Sequence, residues 1–284
     1  MGFSSRSCQP LTPAIFWEEQ ERLAKKKQRG TCALCLATKE LRRSHLLGRA
    51  IYLLNRDGNA DPVLMTPQLI APTQRQIWGH LLCGDCEQRF SSRGESLVMR
   101  LVQRKNEFPL LDRLRLAIPF SVEPNVNAFS GSGIGVDTEA LAYFALSVLW
   151  RSGVQTWRTL NQQTTGVSLG VFQEQIRKYL AGVTGFPSDI VVTVTVCTDI
   201  GSRFCTFAPS ERKGTLFASP SYSLLVRGIW FHILTGVAPA ALIREACCVN
   251  SPKKVLFMKD CEKEVLQAGG HIMGSAAVSP KLSA

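Results

Sequence analysis

The sequence predicts an α+β protein in two parts: an N-terminal treble-clef zinc module over residues 31–120, followed by a separate α+β domain over 137–284. Three observations carry this. Two CxxC pairs, Cys32-Ala33-Leu34-Cys35 and Cys83-Gly84-Asp85-Cys86, lie in the first half. Proline and glycine cluster at Pro109, Pro119, Pro124 and GSGIG (131–135), which marks 121–136 as a linker. Beyond the cluster, helical and strand-like stretches mix without a repeat.

Taken in order, PAIFWEEQERLAKKKQRG (13–30) predicts an N-terminal helix within 1–30, with Pro13 early, acids before lysines, and Gly30 as the stop. Its KKKQR run reads equally as a solvated helix end or a contact to nucleic acid. A knuckle and a short strand follow over 31–45, then an insertion over 46–80 holding the turn-forming NRDGNADP. After Cys86, apolar residues at Phe90, Leu97, Val98, Leu101 and Val102 fit one helical face. GSGIG lacks the spacing of a nucleotide loop and leads into a helix capped near Asp137 or Thr138. That helix, TEALAYFALSVLWRSGVQTW, is apolar almost all round, as a core helix would be. An amphipathic helix in VFQEQIRKYLAG comes next, then a strand in DIVVTVTVCT. In SYSLLVRGIWFHILTG, Gly228 interrupts β-rich residues as a bulge or turn, and His232 reads as a structural histidine. The small, polar tail GSAAVSPKLSA is expected to fray.

Composition narrows the function classes. With 45% hydrophobic residues in 284, the chain can bury one large core or two modest ones. LAYFALSVLW is too short to span a membrane and YSLLVRGIWFHILTG is broken by Arg227, so no membrane segment is expected. The start, MGFSSRSCQP, lacks a secretory hydrophobic core, and Arg6 stands where a myristoylation signal has Ser or Thr. A cytoplasmic location is therefore expected. There, cysteines in CxxC pairs indicate metal ligation rather than disulfides, while Cys8, Cys197, Cys205, Cys247, Cys248 and Cys261 read as buried thiols. The net charge is +11, and residues 1–120 hold 19 of the 33 Lys and Arg but 11 of the 22 acids. A basic zinc-bearing half suits a partner rich in phosphate, which makes nucleic acid the expected partner. A protein partner is the expectation for 137–284.

In each CxxC pair the two-residue spacer lets both sulfurs reach one tetrahedral ion, so Cys32, Cys35, Cys83 and Cys86 are the expected zinc ligands. The 47 residues between the pairs exceed a compact zinc ribbon, and a treble clef accommodates such an insertion. Within it lies LRRSHLLGRA (41–50), where His45 is flanked by Arg42, Arg43 and Arg49, with Arg56 beyond. These arginines fit phosphate contacts.

CALC, LRRSH and LLCGDCEQRF together resemble a divergent member of the HNH endonuclease superfamily, whose ββα-metal fold is a treble clef. They are also similar to a group of uncharacterised bacterial proteins with a CxxC, SH, LLCxxCExxFS pattern. The resemblance covers roughly residues 30–105. It implies a structural zinc, His45 as the general base for phosphodiester hydrolysis, a second divalent ion (Mg²⁺ or Mn²⁺), and a setting in bacterial defence. Three places depart from the pattern: Ser44 stands where Asp or Glu precedes the histidine, Glu87 where Asn or His follows the last cysteine, and Trp78, Gly79 and His80 where the middle Asn before LLC belongs. The expected second-metal donors are therefore Glu87, Glu95 and His80. Without a catalytic ion, the same residues imply a non-catalytic zinc module that binds nucleic acid or a protein, with His45 structural or touching phosphate.

Overall fold

The computed structural model describes residues 28–55, 63–66, 69–72, 77–158, 164–212, 220–236 and 241–274. Strands β1 (Gln28–Thr31), β2 (Thr38–His45) and, later in the chain, β5 (Trp78–Cys83) form an antiparallel sheet in the order β1-β2-β5. The first CxxC is the turn joining β1 to β2, closed by Leu36 N–H donating to the Cys32 carbonyl at 2.9 Å. Between β2 and β5 lie the short helix α1 (Arg49–Leu54) and the hairpin β3 (Val63–Thr66)–β4 (Leu69–Pro72). The second CxxC turns β5 into α2 (Gly84–Phe90), which continues through one π-helical turn, Ser91–Glu95, into α3 (Ser96–Leu101). Knuckle, strand pair and helix in this order have the layout of a treble clef.

Helix α4 (Pro109–Leu116) leads to strands β6 (Ser121–Glu123) and β7 (Val126–Ser130), and then to α5 (Thr138–Val154). Asp137 caps α5 as expected, its Oδ1 accepting from Ala140 N–H at 3.0 Å. Strands β8 (Trp157–Arg158) and β9 (Thr164–Thr165) pair with each other. Helix α6 (Phe172–Ala181) ends at Gly182, whose φ of 76° is the left-handed stop that glycine tolerates best. There follow β10 (Ile190–Cys197), α7 (Ile200–Phe204), β11 (Thr206–Arg212), β12 (Ser221–Val226), β13 (Ile229–Thr235), α8 (Ala241–Glu245), β14 (Val255–Lys259) and α9 (Glu262–Gly274). A seven-stranded sheet runs β11-β12-β13-β10-β14-β7-β6, antiparallel except for β10 beside β14. At the β12–β13 hairpin, Arg227 and Gly228 both have positive φ, 46° and 87°, which suits the two-residue turn expected at Gly228. His232 lies half-buried on β13 with its ring 5.0 Å from that of Trp230, in keeping with a structural role.

Three expectations change. Gly30 does not stop a helix but sits in β1 opposite Lys39, because the register from Gln28↔Leu41 to Thr31↔Thr38 draws it into the sheet; residues 13–27 of that expected helix, like the tail from 275, lie outside the described residues. Residues 121–136 are not a linker. Pro124 marks the turn of the β6–β7 hairpin, and β7 pairs with β14 from Val126↔Lys259 to Val255↔Ser130. Nor do the two halves keep separate cores, since one continuous hydrophobic cluster runs from Cys32 and Leu34 through Phe90 and Trp150 to Phe231 and Leu256.

Helix α5 explains the shared core. One side meets the large sheet, with Phe144 and Phe231 rings 5.7 Å apart, and another meets α2, with Phe90 and Trp150 at 6.1 Å. Gly94 allows the approach: a Cβ there would stand 2.8 Å from Phe144 N. No helix among the described residues is long and apolar enough to cross a membrane.

Alanine normally stabilises a helix over glycine by about 1 kcal/mol. Gly94→Ala should do the reverse and destabilise the protein by roughly 1–3 kcal/mol, because the added methyl meets backbone rather than a movable side chain. Chemical denaturation reads the sign, and an unchanged or raised midpoint would contradict so close a crossing.

Candidate metal centre

The register of β2 against β5 sets Leu41 opposite Cys83, and Ala33 N–H donates to the Leu81 carbonyl at 3.1 Å, so the knuckle folds over the start of α2. As a result the ligand atoms of Cys32, Cys35, Cys83 and Cys86 all lie within 4.8 Å of one another, with Cys35 and Cys83 sulfurs 3.9 Å apart. Zn–S bonds of about 2.3 Å in a tetrahedron require sulfurs about 3.8 Å apart, so this set can hold a metal such as zinc. Three of the cysteines are buried and Cys35 is exposed, which closes the site on the protein side. The hydrogen bond from Cys86 draws the Cys32 thiol down to about 4, helped by backbone N–H groups that include that of Cys83. The same contact pushes Cys86 up, while burial raises Cys83. One thiolate is thus stabilised by its neighbours' protons, the charge that a bound cation would supply to all four.

The second half of the chain braces the knuckle. Arg177 on α6 donates through Nη1 to the Leu34 carbonyl at 2.6 Å, and Glu174 holds its guanidinium at 2.7 and 2.8 Å.

Behind the thiols lies a polar group within the core. Ser44 is fully buried; it donates to Glu87 and accepts from Leu82 N–H at 3.1 Å. Burial pushes the Glu87 carboxyl up, opposed by Ser44 and by the nearby Arg151 charge. Glu95 meets Arg151 at 2.6 Å, and a Cβ on Gly48 would stand 3.0 Å from the same carboxylate. His45 ends β2 opposite Trp78, its ring 6.2 Å from that of Tyr52, and its backbone carbonyl accepts from Arg151 Nη1 at 2.9 Å. The Arg151 guanidinium therefore joins the Glu95 carboxylate to the strand end at His45, and its charge also reaches Glu87, which Ser44 holds. His80 stands elsewhere on the ribbon, opposite Arg43 and edge-on to Trp78 at 5.6 Å, where burial and then the Arg43 charge lower its imidazole.

These donors do not fit the second divalent ion that the resemblance implies. Among the described residues only the four cysteines form a group of three or more His, Cys, Asp or Glu ligand atoms. Glu95 is occupied by Arg151, and Glu87 by Ser44.

Arg42 and Arg43 are both exposed, because a register shift between Leu41 and Arg43 breaks the alternation of β2. Arg43 stacks over Trp78 at 4.5 Å, and Arg49 is exposed at the start of α1. Arg56 lies outside the described residues. Two functional arginines went unread in the sequence. Arg151, the lone charge in the apolar run LAYFALSVLWRSG, carried a signal, since a buried arginine needs a partner; Arg177, in an ordinary amphipathic helix, carried none.

Elemental analysis of the purified chain should find one zinc per chain, and Cys83→Ser should lose both the metal and the soluble fold. Well-folded protein free of metal would contradict the assignment. Compared with known proteins, the chain matches no family model, no curated protein and no solved structure.

Proposed function

We propose that this chain binds nucleic acid through its phosphate backbone, with the zinc-stapled module as the contact surface. One observation carries the reading: Arg29, Lys39 and Arg42, with the acids Glu40 and Asp85, line an open concavity of about 510 Å³ against Cys83 and Gly84. Arg43 stands on the same strand over Trp78, where a flat cation on a flat ring presents its edge to phosphate. The acids nearby do not cancel this face. Lys39–Asp85 at 2.7 Å and Arg42–Glu40 at 3.6 Å are exposed pairs, weakly held in water, which a phosphate can displace. The charge surplus of residues 1–120 supports the same partner.

A second reading, metal-dependent phosphodiester hydrolysis of the HNH type with His45 as general base and Glu87 as metal ligand, has one observation in its favour. Ser44, His45, Glu87 and Glu95 converge although 43 residues separate Ser44 from Glu87 in sequence. The cluster of carboxylates around a fixed arginine, rather than around open donor atoms, places it second.

Affinity for duplex DNA, single-stranded DNA and RNA should fall steeply with salt. Arg42→Ala with Arg43→Ala should lower the slope of log affinity against log salt by about 2 on duplex DNA, one for each lost phosphate contact. Binding that is unchanged from low to high salt would overturn the first reading. Cleavage with Mg²⁺ or Mn²⁺ that disappears in His45→Ala, with zinc content and binding retained, would establish the second in its place. Cleavage undiminished in that variant would remove His45 from the chemistry.

A further inference from the structure

The fold holds two fully enclosed arginines among the described residues, Arg151 and Arg227. The second is accounted for by its hairpin, where its Nε donates to the Gln103 carbonyl at 3.1 Å and its backbone bonds to Cys205 and Gln103. Arg151 is different. It is 1% exposed, projects from the core helix α5, and reaches out of that helix into the polar group of the zinc module. Each of its nitrogens is committed: Nε to the Ser147 carbonyl at 3.3 Å, Nη1 to the His45 carbonyl at 2.9 Å, and Nη2 to Glu95 at 2.6 Å. The Phe90 ring lies 5.3 Å beneath the guanidinium.

We propose that Arg151 is the resident cation of this centre, standing where the HNH resemblance implies a divalent metal ion, so that Glu95 is paired with, and Glu87 lies in the field of, a side chain of the second half of the chain. A guanidinium keeps its charge at any physiological pH, and three fixed bonds hold this one in place. A divalent ion entering between Glu87 and Glu95 would have to take an oxygen from Arg151 and sit beside an undischarged positive charge. Because Arg151 belongs to α5, which also packs on the large sheet, the sheet domain positions the strand end that carries His45. Arg151 is thus a positioning residue acting through Glu95 and the His45 carbonyl. Nothing in this depends on whether the basic face binds nucleic acid.

The test is Mn²⁺ binding to zinc-loaded, full-length protein, with free Mn²⁺ read by electron paramagnetic resonance, for the wild type, Glu95→Gln, Arg151→Met and Arg151→Lys. The wild type should bind Mn²⁺ only weakly and no better than Glu95→Gln. Arg151→Met, which frees Glu95 and removes the positive charge near Glu87, should gain one site with affinity raised about tenfold or more, and Mn²⁺ should raise its melting temperature but not that of the wild type. Arg151→Lys, keeping a charge, should exclude the ion as the wild type does. A folded Arg151→Met that gains no Mn²⁺ overturns the proposal, as does a wild-type site lost on Glu95→Gln. If Arg151→Met fails to fold, exclusion by both the wild type and Arg151→Lys supports the proposal, and Mn²⁺ binding by either overturns it. Loss of nucleic-acid binding in the Arg42 and Arg43 variants leaves this result untouched, so the two readings fail separately.

Discussion

Four sulfurs that must meet at one point govern the first half of this chain, and through it the second. Joining Cys35 to Cys83 closes a loop of 47 residues, whose length-dependent entropy costs about 3 kcal/mol. A thiolate-bound zinc contributes on the order of 10 kcal/mol in small zinc domains, so a metal held by the four thiols would outweigh the loop. Once the sulfurs meet, β5 must lie beside β2 and the helix must begin at Gly84. That start fixes the positions of Glu87, Phe90, Gly94 and Glu95 along one helical path. A module of three short strands could not bury this face by itself, and α5 covers it.

Helix α5 carries two unlike contacts to the module. The first is apolar and close, with Phe144 backbone over Gly94 and Trp150 against Phe90. The second is the Arg151–Glu95 pair. A buried ion pair adds little net stability, yet removing one partner leaves an uncompensated charge that costs several kcal/mol. The pair therefore acts more on specificity than on stability: it accepts one rotation of α5 and one placement of the strand end at His45. The polar group behind the four thiols and the core of the large sheet are in this way parts of one arrangement.

Local chemistry made much of this legible in the sequence. Paired cysteines announced their own convergence, Asp137 a cap and Gly228 a break between strands, because each depends on residues a few positions away. What stayed hidden depends on distant partners. Pro124 and the glycines after Ser130 punctuate a hairpin as readily as a linker, and only β14, more than a hundred residues on, decides between them. Glycine at position 30 reads as a helix stop until β2 pairs with it. Glu87 and Glu95 read as metal donors in the sequence, and their partners, Ser44 and Arg151, change what they can do: a carboxylate that already accepts from a buried serine or arginine is a poorer metal donor than a free one. His80 shows the converse, since closeness in sequence to Cys83 did not bring it to the carboxylates.

The basic concavity beside the thiols is where these constraints reach solvent. Strand β2 runs from its buried end at Ser44 back to the exposed Lys39 and Glu40, and the register shift at Leu41 turns two successive arginines outward. The proposed phosphate contact at this face is read most closely by arginine modification with a dicarbonyl reagent, followed residue by residue by mass spectrometry. With duplex DNA bound, Arg29, Arg42 and Arg43 should be protected, while Arg113 and Arg115, exposed on α4, should react as before. Equal reactivity of Arg29, Arg42 and Arg43 with and without bound duplex would contradict the account.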